Sequence, residues 1–294
     1  MSVRVRVPAT SANLGPGFDS AGLCLSLYDV VEVEVAPAGL DVAVTGEGSG
    51  HLPHSERHLV VRALRAVLDR LDGQPSGLRL RCANAIPQSR GLGSSSAAIV
   101  AGVLAGRALV PDGAQRLDDD AVLALADELE GHPDNVAACL RGGFTLAWRD
   151  PDGVHVARSD AHPDLLPVVF VPQERSSTKE VRGLLPPLVT HAEAAANSGR
   201  AALLALAVTA DPALLMSGTH DLLHQHHRAP AMPRTAELVA RLRAQGLPAV
   251  VSGAGPTVLA LTTRAQARAL AAAPCEGWQA LVLPVDARGA TVLG

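Results

Sequence analysis

The chain has 294 residues, 48% of them hydrophobic, and a formal net charge of −4, a size that suits two ordinary domains or one large one. Scattered basic residues and only one Tyr, two Trp and three Phe argue against nucleic acid, which needs a basic track and stacking platforms. No run of about 18 uncharged apolar residues is present to span a membrane, Met1–Arg6 lacks a signal peptide's apolar core, and the widely spaced Cys24, Cys82, Cys139 and Cys275 form no zinc or redox motif, so a cytoplasmic protein with reduced thiols is expected.

Alternation predicts strands over 3–7, 29–35 and 40–45. Between the first two, residues 8–22 carry too much Gly, Pro, Ser and Asn for regular structure. The apolar spacing of Leu59, Val60, Ala63, Leu64, Val67, Leu68 and Leu71 predicts a helix over 58–71. A strand over 78–83 then leads to a glycine- and serine-rich loop, followed by helices over 97–109 and 118–130. A short helix near Pro133 and a strand over 143–148 follow, and Asp150-Pro-Asp-Gly153 is a strong break. Beyond it come strands over 154–157 and 166–171, alanine-rich helix within 185–210, and helices over 237–244 and 265–273. Short strands over 249–251, 258–261 and 281–285 complete a mixed α+β pattern.

Three glycine-rich segments interrupt this pattern. The second, Ile86-Pro-Gln-Ser-Arg-Gly-Leu-Gly-Ser-Ser-Ser-Ala-Ala98, empties into a predicted helix. Free amides and the positive end of the helix dipole then meet at one point, a natural phosphate site. Gly91 and Gly93 admit close backbone approach, and Ser94, Ser95 and Ser96 add hydroxyls for phosphate oxygens or a magnesium ion. It is no Walker A loop, since serine follows the glycine and the chain's single lysine is Lys179. Nor is it a dinucleotide fingerprint, because Ser96 stands where a third glycine is needed. A serine-capped core helix is the competing reading of this loop alone.

The first segment is Pro8-Ala-Thr-Ser-Ala-Asn-Leu-Gly-Pro-Gly-Phe-Asp-Ser-Ala-Gly22 and the third Val251-Ser-Gly-Ala-Gly-Pro-Thr257. Three such loops in this order resemble the GHMP kinase superfamily, and the first segment looks like that of its homoserine kinases. The resemblance covers Pro8 to Thr257. It implies an N-terminal domain (1–155) like domain 2 of ribosomal protein S5 and a ferredoxin-like C-terminal domain (156–294), with the active site between them. It also implies ATP and Mg2+, with L-homoserine as substrate; dimers are common in the superfamily, so a homodimer is an expectation, although no interface signature stands out.

By the same resemblance, Pro87, Gln88, Ser89, Arg90, Gly91, Leu92, Gly93, Ser94, Ser95, Ser96 and Ala97 wrap the ATP phosphates, and Ser94 or Ser95 helps hold magnesium. Magnesium wants a carboxylate as well, and Asp127-Glu-Leu-Glu-Gly-His-Pro-Asp-Asn135 packs four acids into this stretch. Glu128 and Glu130 compete for that role, Glu130 being preferred because it belongs to the family's EGHPDN block. Asp134 is a candidate general base, but the only lysine is not in the first motif to pair with it. It is assigned instead to the ammonium of homoserine, with Asn135 at the reacting hydroxyl. Asn13 and Asp19 are the candidates for the ammonium and hydroxyl ends. Arg182 and Arg228 match two further family blocks and would clamp the carboxylate, as arginine's planar fork does well. Thr178 would orient substrate or γ-phosphate, and Gly253 closes the site from the C-terminal side. His220, His224, His226 and His227 lack the HExxH pattern of a zinc site. The rival functions are kinase action on another small alcohol and a non-catalytic nucleotide or amino-acid sensor.

Overall fold

Val3, Val5 and Val7 point inward while Ser2 and Arg4 face solvent, so the opening strand obeys its period of two. The computed structural model describes residues 2–174 and 178–293, without the side chains of Thr178 and Lys179. The elements of the first half are β1 Ser2–Ala12, β2 Ala21–Ala36, β3 Gly39–Gly46, α1 Leu59–Arg70, β4 Gly77–Asn84, α2 Ser94–Leu109, α3 Gly113–Arg116, α4 Asp119–Glu130, α5 Pro133–Arg141, β5 Phe144–Asp150 and β6 Gly153–Ser159. Those of the second are β7 Val168–Pro172, α6 Thr178–Arg182, α7 His191–Thr209, α8 Leu215–Gly218, α9 Gln225–Arg228, α10 Pro233–Ala244, β8 Ala249–Val251, β9 Val258–Ala260, α11 Arg264–Ala272, β10 Trp278–Val282 and β11 Thr291–Leu293.

The strands form two sheets. The larger runs β11-β1-β2-β4-β3, with β5 and β6 added beside β2; the smaller runs β10-β7-β9-β8. The long β2 is the spine of the larger sheet, since its start pairs with β5 and its end with β4. β6 pairs with β5 through Ser159, so the expected boundary at 155 falls inside a strand of the larger sheet. The chain's last strand, β11, returns to pair with β1. One apolar core runs from Val5, Leu23 and Leu80 through Leu104 to Leu204 and Leu259, joining the two halves. Leu238, Leu242 and Ala267 cover the far face of the smaller sheet. No described helix is long and apolar enough to cross a membrane.

α1 buries Val60, Val61, Ala63, Leu64, Val67 and Leu68 on one stripe. α2, composed largely of Ala, Gly, Val and Leu, is buried almost all round. Two expectations are corrected here. Residues 8–12 are not irregular: β1 continues through Pro8 to Ala12, and the register to β2 shifts between Pro8 and Ala9. Proline cannot donate to the ladder, and this irregularity is where a strand tolerates it. Likewise β2 begins at Ala21, well before the expected 29, because its first residues are buried on both faces and show no alternation.

Candidate active site

α2 begins at Ser94 with Gly93 as its N-cap, in the left-handed region at φ 69°, and no side chain caps it. The first-turn amides of a 16-residue helix therefore remain for a ligand. A β-carbon on Gly93 would stand 2.0 Å from Thr10 Oγ1, and one on Gly91 would stand 2.3 Å from Ser252 O. Protein packing, beyond any approach of an anion, thus demands both glycines. Gly93→Ala combines left-handed strain with overpacking and is expected to lower stability by about 2–4 kcal/mol; denaturant unfolding measures it, and a loss under about 1 kcal/mol would mean that Thr10 yields freely.

Three loops close on this helix start. Ser252 Oγ lies 2.6 Å from Gly91 O and 2.8 Å from Ser11 Oγ, and Gly253 N–H donates to Ala12 O. Asn13, Leu14 and Asp19 of the first loop all have positive φ (69°, 49° and 54°), a local strain typical of functional loops. Asn13 holds that strain in place: its Nδ2 donates to Gly253 O (2.9 Å) and its Oδ1 accepts from Asp19 N–H (2.9 Å). The loops enclose a cavity of about 910 Å³ lined by Asn13, Asp19, Ser89–Gly91, Gly93–Ser95, Glu130, His132, Asp134, Asn135, Glu180, Arg182, Arg228 and Gly253–Gly255.

The four clustered acids take separate partners. Asp127 receives a two-pronged hydrogen bond from Arg149 (2.9 and 2.6 Å). Glu128 pairs with Arg70 on the surface at 2.5 Å and does not line the cavity. Glu130 Oε1 accepts from Ser95 Oγ (2.5 Å) and Ser96 Oγ (2.8 Å), which sets one carboxylate beside the α2 N-terminus. Gly131, in the left-handed region, ends α4, and Pro133 opens α5 one residue after His132. That turn brings Asp134 into the cavity wall, where Oδ1 accepts from Asn135 N–H (2.8 Å) and lies 3.1 Å from His132 Nδ1. The same contact with Asp134 raises the His132 pKa. Asn135 Oδ1 accepts from the buried Thr10 hydroxyl at 2.8 Å.

The two arginines differ. Arg182 forks onto Asp19 (2.7 and 2.6 Å), and this hydrogen bonding raises its pKa. Its expected clamp on a carboxylate is therefore occupied by another site residue. Arg228 is only 2% exposed; its Nη1 donates to His224 Nδ1 (3.2 Å), and its Nε has no partner. Burial, then the nearby Arg182, lowers its pKa. Both guanidinium groups lie over the Phe18 ring, at 5.4 and 5.2 Å. His224 Nε2–H donates to Gly15 O (2.9 Å), so both ring nitrogens are spent on protein partners and His224 is no metal ligand.

Several other residues of the expected nucleotide loop turn their side chains away from this cavity. Leu92 and Ala97 are in the core, Ser96 is buried against Glu130, and Gln88 does not line the cavity. Pro87 borders a neighbouring cavity of about 330 Å³ with Glu47, Arg90 and Trp278. Arg90 bridges the two cavities, donating to the carbonyls of Pro172, Gln173 and Gln88. The side chain of Thr178 lies outside the described residues. Thr10, Phe18, His224 and Ser252 do not line the cavity but contact residues that do, namely Asn135, the two arginines, Arg228 and Gly91 in turn, and none of them is among the expected site residues. His224 stands four residues before Arg228, one helical turn, and that spacing was a usable signal.

The chain is similar to known proteins in both sequence and fold. The sequence pattern described as GHMP kinases N terminal domain matches residues 58–143, and GHMP kinases C terminal matches residues 194–280. A homoserine kinase of Streptomyces avermitilis is 59% identical over 292 residues, covering 99% of this chain and 96% of that protein. Among solved structures, a homoserine kinase from Cytophaga hutchinsonii superposes with a TM-score of 0.85 at 27% identity, covering 99% of this chain and 97% of the other. A putative homoserine kinase from Listeria monocytogenes gives 0.78 at 30% identity, with 99% of each chain covered.

Proposed function

The chain belongs to the homoserine kinases of the GHMP kinase family, and from that premise we propose that it transfers the γ-phosphoryl group of ATP to the side-chain hydroxyl of L-homoserine, giving ADP and O-phospho-L-homoserine. One observation carries the reading: the uncapped start of α2 shares a cavity with two acids, Asp19 and Asp134, and two arginines, Arg182 and Arg228. The helix start suits phosphates, and the opposed charges suit a zwitterion.

The residues divide the work by charge. First-turn amides of α2 and the Gly91–Gly93 backbone receive the phosphates, with Arg90 adding positive charge from the side. Arg228 takes the amino-acid carboxylate, and Asp134, with Asp19, takes the ammonium. Asn135, fixed by Thr10, orients the acceptor hydroxyl. Holding the hydroxyl and the phosphoryl group together supplies much of the rate, because a loose transition state asks for positioning more than for an early general base. The donor set fits magnesium: Glu130 gives a carboxylate, and Ser94 and Ser95 give hydroxyls, beside the phosphate site. When bound, magnesium neutralises charge on the phosphate oxygens.

The deciding experiment measures ADP release with Mg-ATP in the presence of L-homoserine, L-serine, L-threonine or mevalonate. Selective turnover of L-homoserine supports the reading. Turnover of mevalonate, which has no ammonium, would overturn the roles of Asp19 and Asp134; no turnover with any of them despite ATP binding would favour the sensor.

A further inference from the structure

Asp29 lies on β2 and is 5% exposed. Its Oδ1 accepts from the N–H groups of Ala85 (2.7 Å) and Ile86 (2.9 Å), the residues that open the glycine-rich loop directly after β4. The other anchors of that loop lie further along and use neutral acceptors: Thr10 N–H donates to Leu92 O, Ser252 Oγ contacts Gly91 O, and Arg90 holds backbone carbonyls. Asp29 is thus the carboxylate anchor at the loop's start, and Asp29 is not among the residues lining the cavity.

The surroundings do not favour its charge. Glu47 after β3 adds its negative charge against a negative Asp29, while Cys82 of β4 and Cys139 of α5, whose thiols burial pushes up and keeps neutral, offer no positive charge to balance it. Burial is the largest influence and lifts the carboxyl pKa from 3.8 to about 6, with the two amides pulling the other way. The folded pKa lies above the unfolded one. The protonated acid is therefore the form that folding favours; that contribution is full below about pH 4 and lost as pH rises through about 6. At neutral pH the buried carboxylate weakens the fold, so a purely structural role would be better served by a neutral amide.

We propose that Asp29 is a positioning residue for nucleotide binding, its carboxylate fixing the start of the 85–93 loop so that the loop backbone and the α2 N-terminus face the phosphates together. The inference rests on the kinase reading of that loop. Hydrogen bonds to a charged acceptor are roughly twice as strong as neutral ones, and this one sets the direction in which the loop leaves β4.

The test compares wild type with Asp29→Asn by calorimetry, using magnesium and a non-hydrolysable ATP analogue from pH 5 to pH 8, alongside thermal unfolding at pH 7.5. The variant is expected to bind about 10-fold more weakly at pH 8. The ratio of the two affinities is expected to fall toward one by pH 5, as the wild-type carboxyl protonates. Taking the ratio cancels the titration of the nucleotide and of His132. The variant is expected to unfold at the same or a higher temperature. A ratio that stays constant with pH would overturn the proposal, and so would a variant that fails to fold or that loses stability while binding normally. Wild type that does not bind the analogue at pH 8 would overturn the kinase reading itself, and this inference with it.

Discussion

Glu130→Gln is expected to lower kcat on the order of 100-fold, about 2.7 kcal/mol of activation free energy, with little change in folding. Glutamine keeps an oxygen that can accept from Ser95 and Ser96, the two hydroxyls now 2.5 and 2.8 Å from Glu130 Oε1. The start of α2 should therefore hold its shape. What disappears is the negative charge, which a divalent cation beside phosphates needs from the protein. The magnesium concentration for half-maximal rate should rise along with the fall in kcat. Glu128→Gln is the matched control, because Glu128 lies two residues earlier on the same helix and its side chain is 66% exposed against Arg70. Exposed ion pairs of that kind contribute roughly 0–1 kcal/mol, so its loss should leave turnover near wild type. Equal losses in the two variants, measured at saturating ATP and homoserine, would sink the assignment of Glu130.

The difference between these glutamates marks where sequence reading stopped. The three loops were legible because Gly, Pro and Ser cluster visibly against apolar runs, and α1 was legible because its buried stripe keeps a helical period. The acidic block was legible as a block, but which acid faces the site depends on where α4 ends and on which arginines lie nearby. Arg70 and Arg149 are brought to Glu128 and Asp127 only by the fold. The ion pair of Arg182 with Asp19 joins residues 163 positions apart, a separation over which local pattern carries no information. Proline misled the reading of β1, since a strand was expected to stop at Pro8 and instead takes it up at a register shift. Asp29 gave no signal at all, being one polar residue in an alternating strand; its meaning comes from two amides of a later loop.

Arg228→Met is expected to raise the KM for L-homoserine by about 100-fold or more, with a much smaller effect on the KM for ATP and with an unfolding temperature that does not fall. The two halves of that result share one cause. Arg228 is buried at 2% exposure, its Nε lacks a partner, and no described carboxylate forms a salt bridge with it. Such a buried cation weakens the free protein, and burial accordingly lowers its pKa. A substrate carboxylate would relieve that burden, so the interaction is worth most when the amino acid is bound. Methionine fills a similar volume without the charge, which removes the binding partner and the burden together; the lost bond to His224 Nδ1 offsets part of the gain. Arg182→Met should behave differently. Arg182 is already forked onto Asp19 and its side chain is 41% exposed, so it has less to gain from substrate, and its loss frees Asp19 for the ammonium. About 10-fold in the same KM is the expected effect there. If Arg228→Met instead lost stability and affinity in proportion, Arg228 would be a strut between α9 and the third glycine-rich loop, and the carboxylate would have to be held by Arg182 after it exchanges away from Asp19.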